Sequence, residues 1–85
     1  HASPTPFTKE VNIFCTLPVD DELNIFIYDI NGTLIKTLVS EFQKAGEYNV
    51  QWDGNTGNGM APTGVYFYKV VQGDNTSVNT ILKIN

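Results

Sequence analysis

The sequence predicts an all-β fold, an immunoglobulin/fibronectin-III-like antiparallel β-sandwich of about seven strands. Three observations carry that expectation. Six or seven short runs alternate apolar and polar residues with period two, turn signals rich in Gly, Asn and Asp separate them, and no stretch of ten or more residues has helical periodicity. With 85 residues the chain is one domain, too short to hold two separate cores. Its 41% hydrophobic content includes ten aromatic residues, one Trp, four Tyr and five Phe, enough to fill one sandwich.

Taken in order, residues 1–8 contain Pro4 and Pro6 and read as an extended lead-in or linker, with His1-Ala2-Ser3 resembling the remnant of an expression tag. The sandwich is then expected over 9–85. Val11–Leu17 is a strand whose apolar phase is Val11, Ile13, Cys15 and Leu17. The polar turn Pro18–Glu22 leads into a second strand, Leu23–Asp29, with Leu23, Ile25 and Ile27 on one face. Asn31-Gly32 makes a tight turn, because both residues tolerate positive φ. Thr33–Val39 is a third strand anchored by Ile35 and Leu38, whose spacing of three signals a bulge or a strand end near Thr37.

Ser40–Ala45 reads as a connection with a short helical turn. Gly46–Trp52 is a strand with Tyr48, Val50 and Trp52 in phase. Asp53–Gly59 is the most turn-rich segment. Thr63–Gln72 is a long strand with Tyr66, Tyr68 and Val70 on one face and Val65, Phe67 and Lys69 on the other. The tyrosines are expected to pack inward with their hydroxyls at the rim, and Trp52 to cap the core. Gly73–Thr76 turns the chain into a closing strand, Val78–Ile84, one residue before the last residue, which reads as a natural C-terminus.

Composition excludes several functions. The net charge is −4, there is no Arg, and Lys9, Lys36, Lys44, Lys69 and Lys83 are scattered. Nucleic-acid binding needs a concentrated basic face, so no nucleic-acid partner is expected. No apolar run reaches the roughly 20 residues of a spanning helix, so the chain is not membrane-spanning. The one cysteine, Cys15, sits in the apolar phase of its strand and reads as a small buried hydrophobe. A catalytic thiol would want a base nearby, and the one histidine is His1, at a terminus expected to be mobile.

No catalytic constellation emerges. A single histidine leaves no Ser-His-Asp or Cys-His arrangement. The glycines at 54, 57 and 59 lack the Gly-Lys-Ser/Thr ending of a phosphate loop, and no helix follows them. Asp20, Asp21 and Glu22 read as a solvated turn. No zinc-type ligand set is present, and no cofactor is expected. Asp53, Asn55 and Asn58 form a weak calcium candidate: hard cations accept such oxygens, but the closing bidentate Glu is missing. A plain Gly/Asn turn is the alternative.

The aromatic residues offer a second candidate. If Leu17 faces Leu23 across the Pro18–Glu22 turn, Phe14 lies opposite Phe26 and Asn12 opposite Tyr28. Phe14 and Phe26 are out of phase with the core set and should point outward. Phe14, Phe26 and Tyr28 then form either a cross-strand cluster that stabilises the sheet or a docking patch for a neighbouring domain or a polysaccharide.

Several blocks in order carry a family resemblance: Thr5-Pro6-Phe7, Ile27-Tyr28-Asp29, Ala45-Gly46, Trp52-Asp53-Gly54 and Thr63-Gly64-Val65-Tyr66-Phe67-Tyr68-Lys69. The chain resembles the flagellar hook-capping-protein-like immunoglobulin domain, and equally the related C-terminal sorting domains of the type IX secretion system. The resemblance covers about residues 5–85. It implies a non-catalytic module of a larger secreted bacterial protein, extracellular or at the cell surface, that sorts or anchors its parent through the secretion machinery. The alternatives are an accessory carbohydrate-binding module, with Phe14, Phe26 and Tyr28 as a stacking platform, and a structural spacer or assembly domain. Deletion of Val78–Asn85 is expected to abolish both fold and export.

Overall fold

The computed structural model describes residues 1–84, so Asn85, the last residue of the expected sandwich span, lies outside the described residues. Six strands of seven residues or more form the sandwich: β2 (Val11–Leu17), β3 (Asp21–Tyr28), β4 (Leu34–Gln43), β5 (Gly46–Trp52), β8 (Gly64–Gln72) and β9 (Asn75–Lys83). Three two-residue strands join them: β1 (Ala2–Ser3), β6 (Asn55–Thr56) and β7 (Gly59–Met60). One sheet has the order β1-β2-β5, the other β4-β3-β8-β9, and β6 and β7 form a small hairpin. All strand pairings are antiparallel.

Alternation dictates which side chains the two sheets enclose. Val11 and Ile13 from β2, Leu23, Ile25 and Ile27 from β3, and Tyr66, Tyr68 and Val70 from β8 are buried in one cluster. Each set follows the period of two that sends alternate side chains to opposite faces of a strand.

The expected pairing of β2 with β3 is corrected. β2 pairs with β5, which sets Phe14 against Asn49, while β3 pairs with β4 and β8. The chain therefore changes sheets between Leu17 and Asp21, and changes back between Gln43 and Gly46. The two crossings are fastened side by side, because the Ala45 amide donates to Asp20 Oδ1 at 2.8 Å. Gln72 Nε2 adds a second tie, donating to the Thr16 carbonyl oxygen at 2.9 Å. Leu17 and Leu23 are both buried, yet they belong to opposing sheets.

β4 is longer than expected. It continues through Ser40 to Gln43 as strand, with no helical turn. The Ile35/Leu38 spacing has its cause in two irregularities. Ile25 pairs with Val39 but Phe26 with Thr37, and Ile27 pairs with Lys36 but Tyr28 with Leu34, so Leu38 and Ile35 are each left without a partner. Each extra residue swings its side chain toward the core, where both pack against the buried cluster. β9 starts at Asn75, and Gly73-Asp74 form a two-residue hairpin turn. Gly73 has φ +56°, and a Cβ there would lie 2.3 Å from Asp21 Oδ2, so both backbone conformation and space call for glycine.

Residues 1–8 run along the sandwich and bond to both of its sheets, with Phe7 buried and the others exposed or, at Ala2, half-buried. Ala2 and Ser3 pair with Ile13 and Asn12. Phe7 is 1% exposed and forms a parallel bridge with Lys83. Its amide donates to the Leu82 carbonyl oxygen at 2.9 Å, and its own carbonyl accepts from the Ile84 amide at 2.9 Å. We predict that Phe7→Ala lowers unfolding free energy by about 3–5 kcal/mol, the cost of emptying a buried aromatic site. Urea denaturation measures it, and a linker residue would shift the midpoint negligibly.

Candidate functional site

Two sequence blocks meet at one end of the core. The Trp52 ring lies 5.7 Å from Phe7 and 5.4 Å, edge-on, from Tyr66. Trp52 Nε1 donates to the Asn55 carbonyl oxygen at 2.9 Å, and the Tyr66 hydroxyl donates to the Pro62 carbonyl oxygen at 2.5 Å. Burial, reinforced by the Asp29 carboxylate, pushes the Tyr66 hydroxyl above its ordinary value and keeps it a donor. Gly54 has φ +85°, and a Cβ there would meet Lys83 Cε at 2.8 Å. The glycine lets the buried Lys83 stem pass beneath the loop.

The Asp53–Asn58 loop is organised by its own hydrogen bonds. Asp53 Oδ1 accepts the Asn55 amide at 2.9 Å and Oδ2 accepts Asn55 Nδ2 at 3.1 Å. These bonds hold the Asp53 carboxyl below its usual range. The Asn58 amide donates to Thr56 Oγ1 at 3.1 Å, which shapes the β6–β7 hairpin. Among the described residues no three His, Cys, Asp or Glu side chains cluster as metal ligands.

The outward aromatics are divided between the two sheets. Phe14 stands on the outer face of the β1-β2-β5 sheet, 4.9 Å from the His1 ring. With Thr16, Glu47, Tyr48 and Asn49 it borders a shallow groove. Cys15 also borders this groove, only half-buried against the core where its phase in the strand predicts full burial. Burial pushes its thiol up, and the positive amino terminus of His1 pulls it only partly back.

Phe26 and Tyr28 stand on the outer face of the other sheet, their rings 6.4 Å apart and edge-to-face. Phe14 and Phe26 therefore do not form one patch. The companions of Phe26 and Tyr28 come from neighbouring strands: one row runs Leu34, Tyr28, Phe67, Thr80 and the next Thr37, Phe26, Lys69, Val78. Val65 faces Leu82 beyond them. Leu34, Val65, Val78 and Leu82 are exposed. Lys69 is the one charge within these rows, and Glu22 lies at the far end of β3 beside Phe42. These outward apolar side chains adjoin one another on a single sheet face, unlike the singly scattered apolar residues of an ordinary surface. The Val65/Phe67 phase of β8 was the sequence signal for it.

The fold and these faces define an immunoglobulin-like β-sandwich. The chain belongs to the FlgD Ig-like domain family, whose profile matches residues 8–76. Among solved structures it is similar to FlgD from Xanthomonas campestris, with 26% identity, a TM-score of 0.65, and coverage of 95% of this chain and 59% of that one. It is also similar to FlgD from P. aeruginosa, with 22% identity, a TM-score of 0.64, and coverage of 86% of this chain and 57% of that one. This chain thus spans less than two thirds of either FlgD chain. None of the curated protein sequences matches it.

We predict that Cys15 in the folded protein is alkylated by iodoacetamide at pH 8 at least about tenfold more slowly than in urea, because burial both shields the thiol and disfavours the thiolate. The folded-state rate should keep rising with pH past the range of an ordinary thiol. Equal rates in the two states would show that the site is open.

Proposed function

We propose that this chain is a non-catalytic structural module of a larger exported bacterial protein, and that it works in assembly by docking against another protein domain. The carrying observation is its place in the FlgD Ig-like family, together with its similarity to a FlgD connected with the hook capping essential for flagellar assembly. The outer face of the β4-β3-β8-β9 sheet supplies a means. It offers the Phe26, Tyr28 and Phe67 rings with flanking aliphatic side chains and a single central cation, Lys69. On a molecule of net charge −4, this suits a protein surface that is apolar around one carboxylate. The similar FlgD chains extend well beyond the region this domain covers, so a neighbouring domain of the parent is the partner of choice. Phe14 lies on the other sheet from Phe26 and Tyr28, so the joint three-residue platform expected for polysaccharide stacking is divided.

A sorting role in type IX secretion is the second reading, and one observation favours it. β9, the strand nearest the end of the chain, is an edge strand with exposed residues from Asn75 to Thr80. Backbone groups on such an edge are open to export machinery.

Side-chain footprinting distinguishes the outcomes. In the intact parent, hydroxyl-radical labelling of Phe26, Tyr28 and Phe67 should fall several-fold relative to isolated residues 1–85, and Phe67→Lys should restore it. Unchanged labelling would overturn docking through this face. A reporter fused to residues 1–85 in a type IX-secreting bacterium tests the second reading, with delivery to the surface or medium supporting sorting.

A further inference from the structure

The two edges of the four-stranded sheet are built in opposite ways. β4 carries two irregularities, at Ile35 and Leu38, and the charges Lys36 and Glu41. Bulges and charges are the devices that keep an edge strand from pairing with another chain. β9 has neither over most of its length. It runs in unbroken register against β8 from Asn75 to Lys83, and Asn75–Leu82 contains no charge and no proline.

The contacts of Phe7 reveal which main-chain groups of β9 face away from β8. The Leu82 carbonyl and the Ile84 amide both bond to Phe7, so the even-numbered residues direct their N–H and C=O groups to the open side. Period two places those of Thr76, Val78 and Thr80 on the same side. From Asn75 to Thr80 every residue is exposed, Val78 to 57%. At Leu82–Ile84 the edge is already covered, by Phe7 and by Thr5 Oγ1, which accepts the Leu82 amide at 3.2 Å.

The open segment has a symmetry of its own. Thr76, Val78 and Thr80 read the same in both directions, with the small polar Ser77 and Asn79 between them. A second copy laid antiparallel on a two-fold axis through Val78 sets Val78 against the partner's Val78, and Thr76 against the partner's Thr80. Threonine and β-branched pairs of this kind stabilise antiparallel strands, and no like charges meet. At each of the three pairs both N–H···O bonds are exchanged. Sliding the partner toward Leu82 runs it into Thr5, and sliding it the other way sets Thr80 against the partner's Asp74. Only the symmetric register pairs Thr76, Val78 and Thr80 of one copy wholly with the same three residues of the other, inside the exposed segment.

We infer that β9 is a self-association edge, through which two copies of this chain pair antiparallel about Val78 and join their four-stranded sheets into one. The interface is isologous, as two-fold contacts are. Because each copy carries net charge −4, added salt strengthens the association by screening.

Sedimentation equilibrium of residues 1–85 over a concentration series tests this. The wild-type chain should dimerise reversibly. Val78→Lys and Val78→Glu, each checked for unchanged far-UV circular dichroism, should each raise the dissociation constant about tenfold or more, since like charges then face across the axis. An equimolar mixture of the two variants should recover a heterodimer, because lysine then faces glutamate. Phe42→Lys on β4 should leave association unchanged. A wild-type chain that is monomeric at every concentration overturns the inference, and if its β9 instead binds an unrelated extended peptide, the edge serves another protein. A dimer that survives both Val78 substitutions, or a mixture that fails to reassociate, also overturns it.

Discussion

The contact among Phe7, Trp52 and Tyr66 is the one on which the rest of the structure depends. Each ring comes from a different part of the chain: the lead-in, the end of β5 and the start of β8. Trp52 is placed by pairing with β2, through Val11, and Tyr66 by pairing with Ile81 of β9. The cluster therefore joins the two sheets at one end of the core. Its polar atoms need partners when buried. The Asn55 and Pro62 carbonyls supply them, which draws both ends of the β6–β7 excursion onto the sandwich. The Ala61 amide completes the closure by donating to the Gly54 carbonyl oxygen at 2.7 Å.

The opposite end is held by polar ties. Asp20 binds the Ala45 amide and Gln72 reaches the Thr16 carbonyl, so both sheet changes are fastened without a buried charge. Apolar packing at one end and polar stitching at the other leave the outer sheet faces free to vary. One such face carries Phe26, Tyr28 and Phe67 and the other Phe14, and none of these residues is needed to close the core.

How much of this was legible in the sequence follows from what alternation encodes. Period two states which side chains share a face, so Leu23, Ile25 and Ile27, and Tyr66, Tyr68 and Val70, were readable as core. The spacing of Ile35 and Leu38 was readable as a bulge, because an apolar pair three apart cannot share a face of a regular strand. Alternation is silent about which strand lies alongside. The pairing of β2 with β3 was a reasonable inference from a five-residue turn, but sheet choice is decided by long-range contacts such as Asp20–Ala45. The outward direction of Phe14 and of Phe26 was thus correct while their adjacency was not. The burial of Phe7 has no comparable signal: a single apolar residue after two prolines has no periodicity to betray it.

The parallel bridge between Phe7 and Lys83 has a mechanical consequence. The lead-in and the end of β9 run in the same direction where they touch, with bonds on both sides of Phe7. A force that draws residue 5 and residue 84 apart acts along these two segments, so it loads their hydrogen bonds together in shear instead of peeling them one at a time. The buried Phe7 ring must leave the Trp52 cluster in the same event. Tension applied between these two points is therefore met at this clamp, and the strands behind it are shielded until it gives way.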